Sequence, residues 1–113
     1  MGKIPKKFKE KIACDEFYEK CAIRQFGGCQ GRITIDHSLI FGGRQIEAMW
    51  NYVPLCAKHH GVDQFSGGKV EKEKSHWIAL NRATDEELKA KSKAVNYIHE
   101  RNRLNKIYGT PNF

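Results

Sequence analysis

The chain has 113 residues and a mass of 13.0 kDa, room for one domain with a modest core. Hydrophobic residues make up 40% and charged residues 29%, which excludes a disordered polar tail, and no stretch is long and apolar enough to span a bilayer. Twenty Lys and Arg against thirteen Asp and Glu give a net charge of +7 and a pI near 9.3, so an acidic partner is expected, with a polyphosphate backbone the commonest kind. The excess sits at the ends: residues 1–11 and 69–113 each carry +4, residues 12–20 carry −2 and residues 21–68 carry +1. The basic N-terminus is followed by no apolar run, so a secretory signal is not expected and a reducing, cytoplasmic location is. There, Cys14, Cys21, Cys29 and Cys56 are better read as a metal-ligand set than as disulfide partners, and a structural metal would help so short a chain to fold.

In chain order, Pro5 is placed to start a helix running toward Cys14 or Tyr18, with Phe8, Ile12 and Phe17 as its apolar side. Gly27-Gly28 and Gly31 break the chain around Cys29 and put it in a turn. Arg32-Ile33-Thr34-Ile35-Asp36 is β-branched and alternating, the pattern of a short strand. Gly42-Gly43 marks a turn, and Tyr52-Val53-Pro54-Leu55 reads as a second extended piece leading into Cys56. A short helix carrying His59 and His60 follows, ending near Gly67-Gly68. Val70 to Arg82 is expected to be helical with Val70, Trp77 and Ile78 toward the core. Thr84 and Glu87 form a capping box for a last helix running from Asp85 to about Ile107, with Leu88, Ala94, Val95 and Ile98 at helical spacing and Gly109 and Pro111 as its stop. The sum is one α+β domain over residues 1–113.

The middle of the chain carries the chemistry. Cys21 and Cys29 are followed by Asp36-His37, Gly42-Gly43, Asn51 and Cys56-Ala57-Lys58-His59-His60. This constellation resembles the HNH, or ββα-metal, endonucleases. Their pattern is a cysteine pair, a strand ending in Asp-His or His-His, a Gly-Gly turn, an Asn and a Cys-x-x-Cys-His. Here the tail reads Cys-x-x-His-His, and the gap between the first two cysteines is longer than usual, similar to small phage-encoded HNH proteins linked to recombination. The likeness covers about residues 21–65. It implies a zinc-stapled ββα-metal core (residues 21–66), to which the residue patterns above add a basic N-terminal arm or helix (residues 1–20) and two C-terminal helices (residues 69–108).

Four Cys or His side chains make a tetrahedral structural zinc site, and Cys21, Cys29, Cys56 and His59 supply such a set. On a helix, either His59 or His60 lies one turn from Cys56, so the two histidines could exchange roles. Cys14 is a further candidate ligand, against the simpler reading of a buried, unligated thiol. By the resemblance, His37 is the general base that deprotonates the attacking water, Asp36 and His60 hold a catalytic divalent cation (Mg²⁺ or Mn²⁺) against the scissile phosphate, and Asn51 braces the loop. On a regular strand, however, Asp36 and His37 point to opposite faces. Gln64 stands where some relatives have one more metal-binding His. The implied activity is metal-dependent hydrolysis of DNA. A zinc-containing nucleic-acid-binding module without catalysis is the alternative, as is a recombination accessory role in which the C-terminal helices bind a phage or host recombination or packaging protein. No membrane partner is expected.

Arg32, Arg44, Lys58 and Lys69 are the candidate phosphate contacts, with Lys72 and Lys74 extending that footprint. His76 and His99 read as structural or surface residues. Trp50, Asn51 and Tyr52 read as packing beside the site, with base stacking the minor alternative.

Overall fold

The computed structural model describes residues 4–41, 44–67, 71–91 and 95–111. Gly42, Gly43, Gly68, Lys69, Val70 and Ala94, all singled out above, lie outside them. The chain opens with helix α1 (Lys6–Ala13), for which Pro5 is the N-cap, and a single 3₁₀ turn over Glu16–Glu19 capped by the Asp15 carboxylate. Arg82, from far along the chain, stacks 3.9 Å from the Phe17 ring centroid and donates to the Tyr18 hydroxyl at 2.7 Å, fixing this turn to the body of the protein.

Strands β1 (Ile33–His37) and β4 (Tyr52–Cys56) pair antiparallel, with Ile33 opposite Cys56 and His37 opposite Tyr52. Between them lies a small hairpin in which β2 (Ile40–Phe41) pairs with β3 (Arg44–Gln45). Helix α2 (Ala57–His60) starts directly after β4 and is only four residues long. Gly61 ends it in the left-handed conformation, so the expected continuation to Gly67-Gly68 does not occur, and a separate 3₁₀ turn over Asp63–Phe65 takes its place.

The rest is helical: α3 (Lys72–Arg82), α4 (Asp85–Lys91) and α5 (Tyr97–Tyr108). The capping box is formed as expected, Thr84 N–H donating to Glu87 Oε1 and Glu87 N–H to Thr84 Oγ1. The single long helix from Asp85 to Ile107 is not. Asn96 adopts an extended backbone and caps a new helix, its side chain accepting from His99 N–H. Among the described residues, three helices therefore follow the core, rather than two. No helix among the described residues is long and apolar enough to cross a membrane.

Alternation along the sheet sorts side chains into two clusters. Val53 and Leu55 face the main core with Ile23, Trp77, Ile78, Leu80, Leu88 and Leu104. Tyr52 and Ile35 face the other way, onto Phe8 of α1, Tyr18 and Met49. Trp50, Asn51 and Tyr52 are all buried, so they pack rather than offer stacking faces.

One backbone approach sets the distance between the Cys29 loop and α2. Gly31 has φ +84°, and a Cβ placed there would stand 2.6 Å from Ala57 Cβ. Gly31→Ala should therefore lower stability by about 2 kcal/mol or more, from strain at positive φ together with overpacking. The urea unfolding midpoint measures this.

Candidate metal centres

The first centre ties three stretches of chain together. His59 Nδ1 lies 3.4 Å from Cys21 Sγ, 3.8 Å from Cys29 Sγ and 3.3 Å from Cys56 Sγ. All four ligand atoms fall within 4.8 Å of one another. With Zn–S near 2.3 Å and Zn–N near 2.0 Å, the edge of a zinc tetrahedron is about 3.5 Å, so these four residues could hold a metal such as zinc. Which histidine joins the thiols is settled by geometry: His59 does, and His60 points elsewhere. Cys14 is not among the four, and it is exposed rather than buried.

The thiols are unequal. Burial and the neighbouring thiols push Cys29 up to about 12. Cys21 is also raised, chiefly by burial. Burial acts to raise Cys56, but backbone N–H donors from the His59 and Gln30 peptides and hydrogen bonds from the Cys29 and Cys21 thiols together carry it below its ordinary value. Three thiols this close cannot all ionise without a cation among them, and a metal ion is the group that permits it. A cleft bordered by Cys21, Cys29 and Cys56 leaves the cluster open to solvent.

The second centre lies at the end of β1. Thr34 and Asp36 share the face of the strand that turns toward α2 and α3. Asp36 is 3% exposed. Its Oδ2 accepts from Ser75 Oγ at 2.6 Å and its Oδ1 from Lys72 Nζ at 2.7 Å. His60 Nε2 stands 3.5 Å from the same Oδ1.

The proton on His60 can be placed. The Thr34 hydroxyl has one hydrogen, which goes to the Leu55 carbonyl at 2.9 Å. At 2.6 Å from Thr34 Oγ1, His60 Nδ1 must then be the donor. In the neutral ring this leaves Nε2 as a bare lone pair facing a carboxylate oxygen. Two acceptors at 3.5 Å are short of a cation between them. Burial, together with the Lys72 and Arg32 charges, lowers His60 below its ordinary value against the pull of Asp36, so the ring is neutral at pH 7.

His37 is on the opposite face. Its ring meets Tyr52 edge-on at 5.2 Å, and its Nδ1 is buried with no hydrogen-bond partner among the described residues. Burial holds its pKa below the ordinary value, and Asp36, Lys72 and His60 are near enough to act on its charge. The structure therefore brings Asp36 and His60 together and leaves His37 behind the strand, within electrostatic reach. Asn51 lies fully buried: Oδ1 accepts from Leu39 N–H at 2.7 Å, and Nδ2 donates to the Leu39 and Ile46 carbonyls. It braces the segment that carries the β2–β3 hairpin.

The candidate phosphate contacts are scattered. Arg32 borders the same cleft as His60, but Asp63 holds its guanidinium through two hydrogen bonds of 2.8 and 3.1 Å. Lys58 lines a neighbouring cavity with His59, and Arg44 lies by the hairpin next to Glu47 and Lys91. Lys69 is outside the described residues.

Sequence reasoning missed Thr34, Lys72 as a partner of Asp36, Ser75 and His76. His76 Nε2–H donates to the Ser38 carbonyl at 2.9 Å, beside Lys72 Nζ on the same oxygen at 3.3 Å. The signal available was spacing: Lys72, Ser75 and His76 stand at i, i+3 and i+4 and so share one face of α3. Compared with protein families, with curated proteins and with solved structures, the chain matches none.

Two outcomes are expected. Cys56→Ser should lose one equivalent of zinc and most of the cooperative unfolding transition, measured by metal analysis and thermal melts, since a structural zinc contributes folding free energy directly. The second outcome concerns pH. His76 is lowered below its ordinary value of 6.5, first by burial and also by Lys72, against the Ser38 carbonyl and Asp36. As pH falls the unfolded chain takes up this proton first. The stability from keeping the ring neutral is thus complete above pH 6.5 and lost as pH drops through the lower folded value. The fall in urea midpoint between pH 7.5 and 5.5 should be smaller in His76→Gln, which keeps a donor for Ser38, than in the parent.

Proposed function

We propose that this chain is a metal-dependent endonuclease of the HNH, ββα-metal type that hydrolyses DNA phosphodiester bonds. The observation that carries the reading is the pairing of a bare His60 Nε2 with Asp36 Oδ1 at 3.5 Å, beside a separate thiol–imidazole cluster. In this reading Cys21, Cys29, Cys56 and His59 hold a structural zinc, and Asp36 and His60 hold a Mg²⁺ or Mn²⁺ ion with water completing its shell. That ion would stabilise charge on the phosphate and on the leaving 3′ oxygen.

The side chains divide the remaining work. Thr34 fixes the His60 tautomer, and Ser75 fixes the Asp36 carboxylate, so both donors are set before a cation arrives. The phosphate lies across the end of β1, where the strand stops at His37. It is approached from one face by Asp36 and His60 and from the other by His37. Burial keeps the His37 ring neutral, as a general base must be. In the neutral state a ring nitrogen carries the lone pair that takes the proton of the attacking water. Basic residues along the cleft hold the backbone, Arg32 exchanging its exposed pair with Asp63 for phosphate at little cost. These contacts do not read sequence.

The Lys72–Asp36 ion pair favours a second reading, a zinc-stapled module that binds nucleic acid without cutting it, because an ammonium already answers the carboxylate. Plasmid incubated with the purified protein and Mg²⁺ or Mn²⁺ separates the two. The nuclease reading expects nicking that EDTA abolishes and that His37→Ala reduces by about 100-fold or more, with zinc content and melting unchanged. Undiminished cleavage by His37→Ala removes His37 from the base role, and retarded but intact plasmid with the parent protein establishes the binding module.

A further inference from the structure

We propose that Lys72 is the resident cation of the Asp36–His60 site, and that a divalent ion entering there releases one of its N–H groups to grip the DNA phosphate. The inference rests on the cation site proposed above and adds a residue to it. An ammonium has three N–H donors. Lys72 Nζ has three acceptors: Asp36 Oδ1 at 2.7 Å, the His37 carbonyl at 3.1 Å and the Ser38 carbonyl at 3.3 Å. Every donor is committed, and one is committed to the oxygen that faces His60 Nε2.

An ion bound between that oxygen and that nitrogen takes Oδ1 for itself. Lys72 keeps its two carbonyl contacts, which anchor the ammonium at the end of β1. Its third N–H loses its acceptor. The Lys72 side chain is 43% exposed, so the freed donor opens to solvent and to whatever the cleft holds. A phosphate oxygen already drawn to the divalent ion is the acceptor in reach. Binding of the ion and binding of DNA are then coupled through one side chain, and by linkage each strengthens the other. Without the ion, the same ammonium neutralises a buried carboxylate that would otherwise stand unpaired.

The competition has a sign. Removing the ammonium removes both a rival for Oδ1 and a positive charge beside the ion. Mn²⁺ titrated into the zinc-loaded protein and followed by electron paramagnetic resonance should bind Lys72→Met roughly fivefold more tightly than the parent, the worth of one partly exposed ion pair. Lys72→Arg, which keeps the charge, should stay near the parent. In the second readout, DNA binding is measured against salt with Ca²⁺ present to avoid cleavage. There the slope of log K on log salt should be about one unit shallower in Lys72→Met than in the parent, and the two should agree when Ca²⁺ is withheld. Lys72→Gln serves in place of the Met variant if that variant loses zinc or its melting transition.

Unchanged or weaker Mn²⁺ binding by Lys72→Met overturns the proposal while leaving the cation site standing. It would mean that the ammonium shapes Asp36 instead of competing for it. Absence of Mn²⁺ binding in the parent and in every Lys72 variant overturns the cation site itself, and the role of Lys72 with it. Mn²⁺ binding that appears only when Lys72 is replaced supports the competition in its strongest form.

Discussion

A carboxylate at 3% exposure has to be answered by donors, and Asp36 draws them from a helix that follows it by more than thirty residues. Ser75 takes one oxygen and Lys72 the other. The same ammonium continues to the His37 and Ser38 carbonyls, where His76 joins it. One face of α3 therefore closes over the end of β1 through polar contacts, while the apolar side of that helix (Trp77, Ile78 and Leu80) enters the core. Packing decides that α3 lies on the sheet. The bonds to Asp36 and Ser38 decide its register along the strand, because a shift of one residue would leave a charge buried without its partners.

The thiol–imidazole cluster does a comparable job at the opposite end of the same two strands. Cys56 closes β4, His59 follows on α2, and Cys21 and Cys29 come from the irregular stretch before β1. The loop has few apolar residues to hold it, and its close passage by α2 at Gly31 leaves no room for a side chain. A metal among the four ligands would supply what hydrophobic burial does not. With α2 anchored by His59, the next residue is aimed by that anchorage: His60 turns its ring onto Thr34 and Asp36. Two adjacent histidines thus take different partners because they project from a short helix about 100° apart.

Much of this was legible from residue types. Strand β1, the extended entry into Cys56 and the Thr84–Glu87 cap follow from periodicity and capping chemistry, whereas the Cys21–Cys29–Cys56–His59 grouping leaned on a family resemblance, since helical spacing alone left His59 and His60 interchangeable. The Asp85–Ile107 helix failed because apolar periodicity carried through a break that the Asn96 side chain makes locally. The α2 helix was drawn too long because the left-handed glycine at 61 was given less weight than the glycine pair further on. The contacts of Lys72, Ser75 and His76 with the strand end were out of reach for a different reason. Lysine, serine and histidine on a helix face are ordinary surface chemistry. Only tertiary packing showed that this face is turned inward.

The strand's alternation bears on the chemistry as well as on the fold. Asp36 and His37 are neighbours in sequence and lie on opposite faces, so they cannot share one small pocket, but they can flank something laid over the strand's end. The two environments differ in kind. Asp36 lies among donors and beside a bare imidazole nitrogen, which suits a cation. His37 lies against Tyr52, whose hydroxyl is itself buried and unpaired among the described residues, in surroundings that withhold a proton from the ring. A general base and a metal ligand have opposing needs, since a cation bound at a base would occupy the lone pair the base must use. In the proposed nuclease reading, the two sides of one strand would meet both needs.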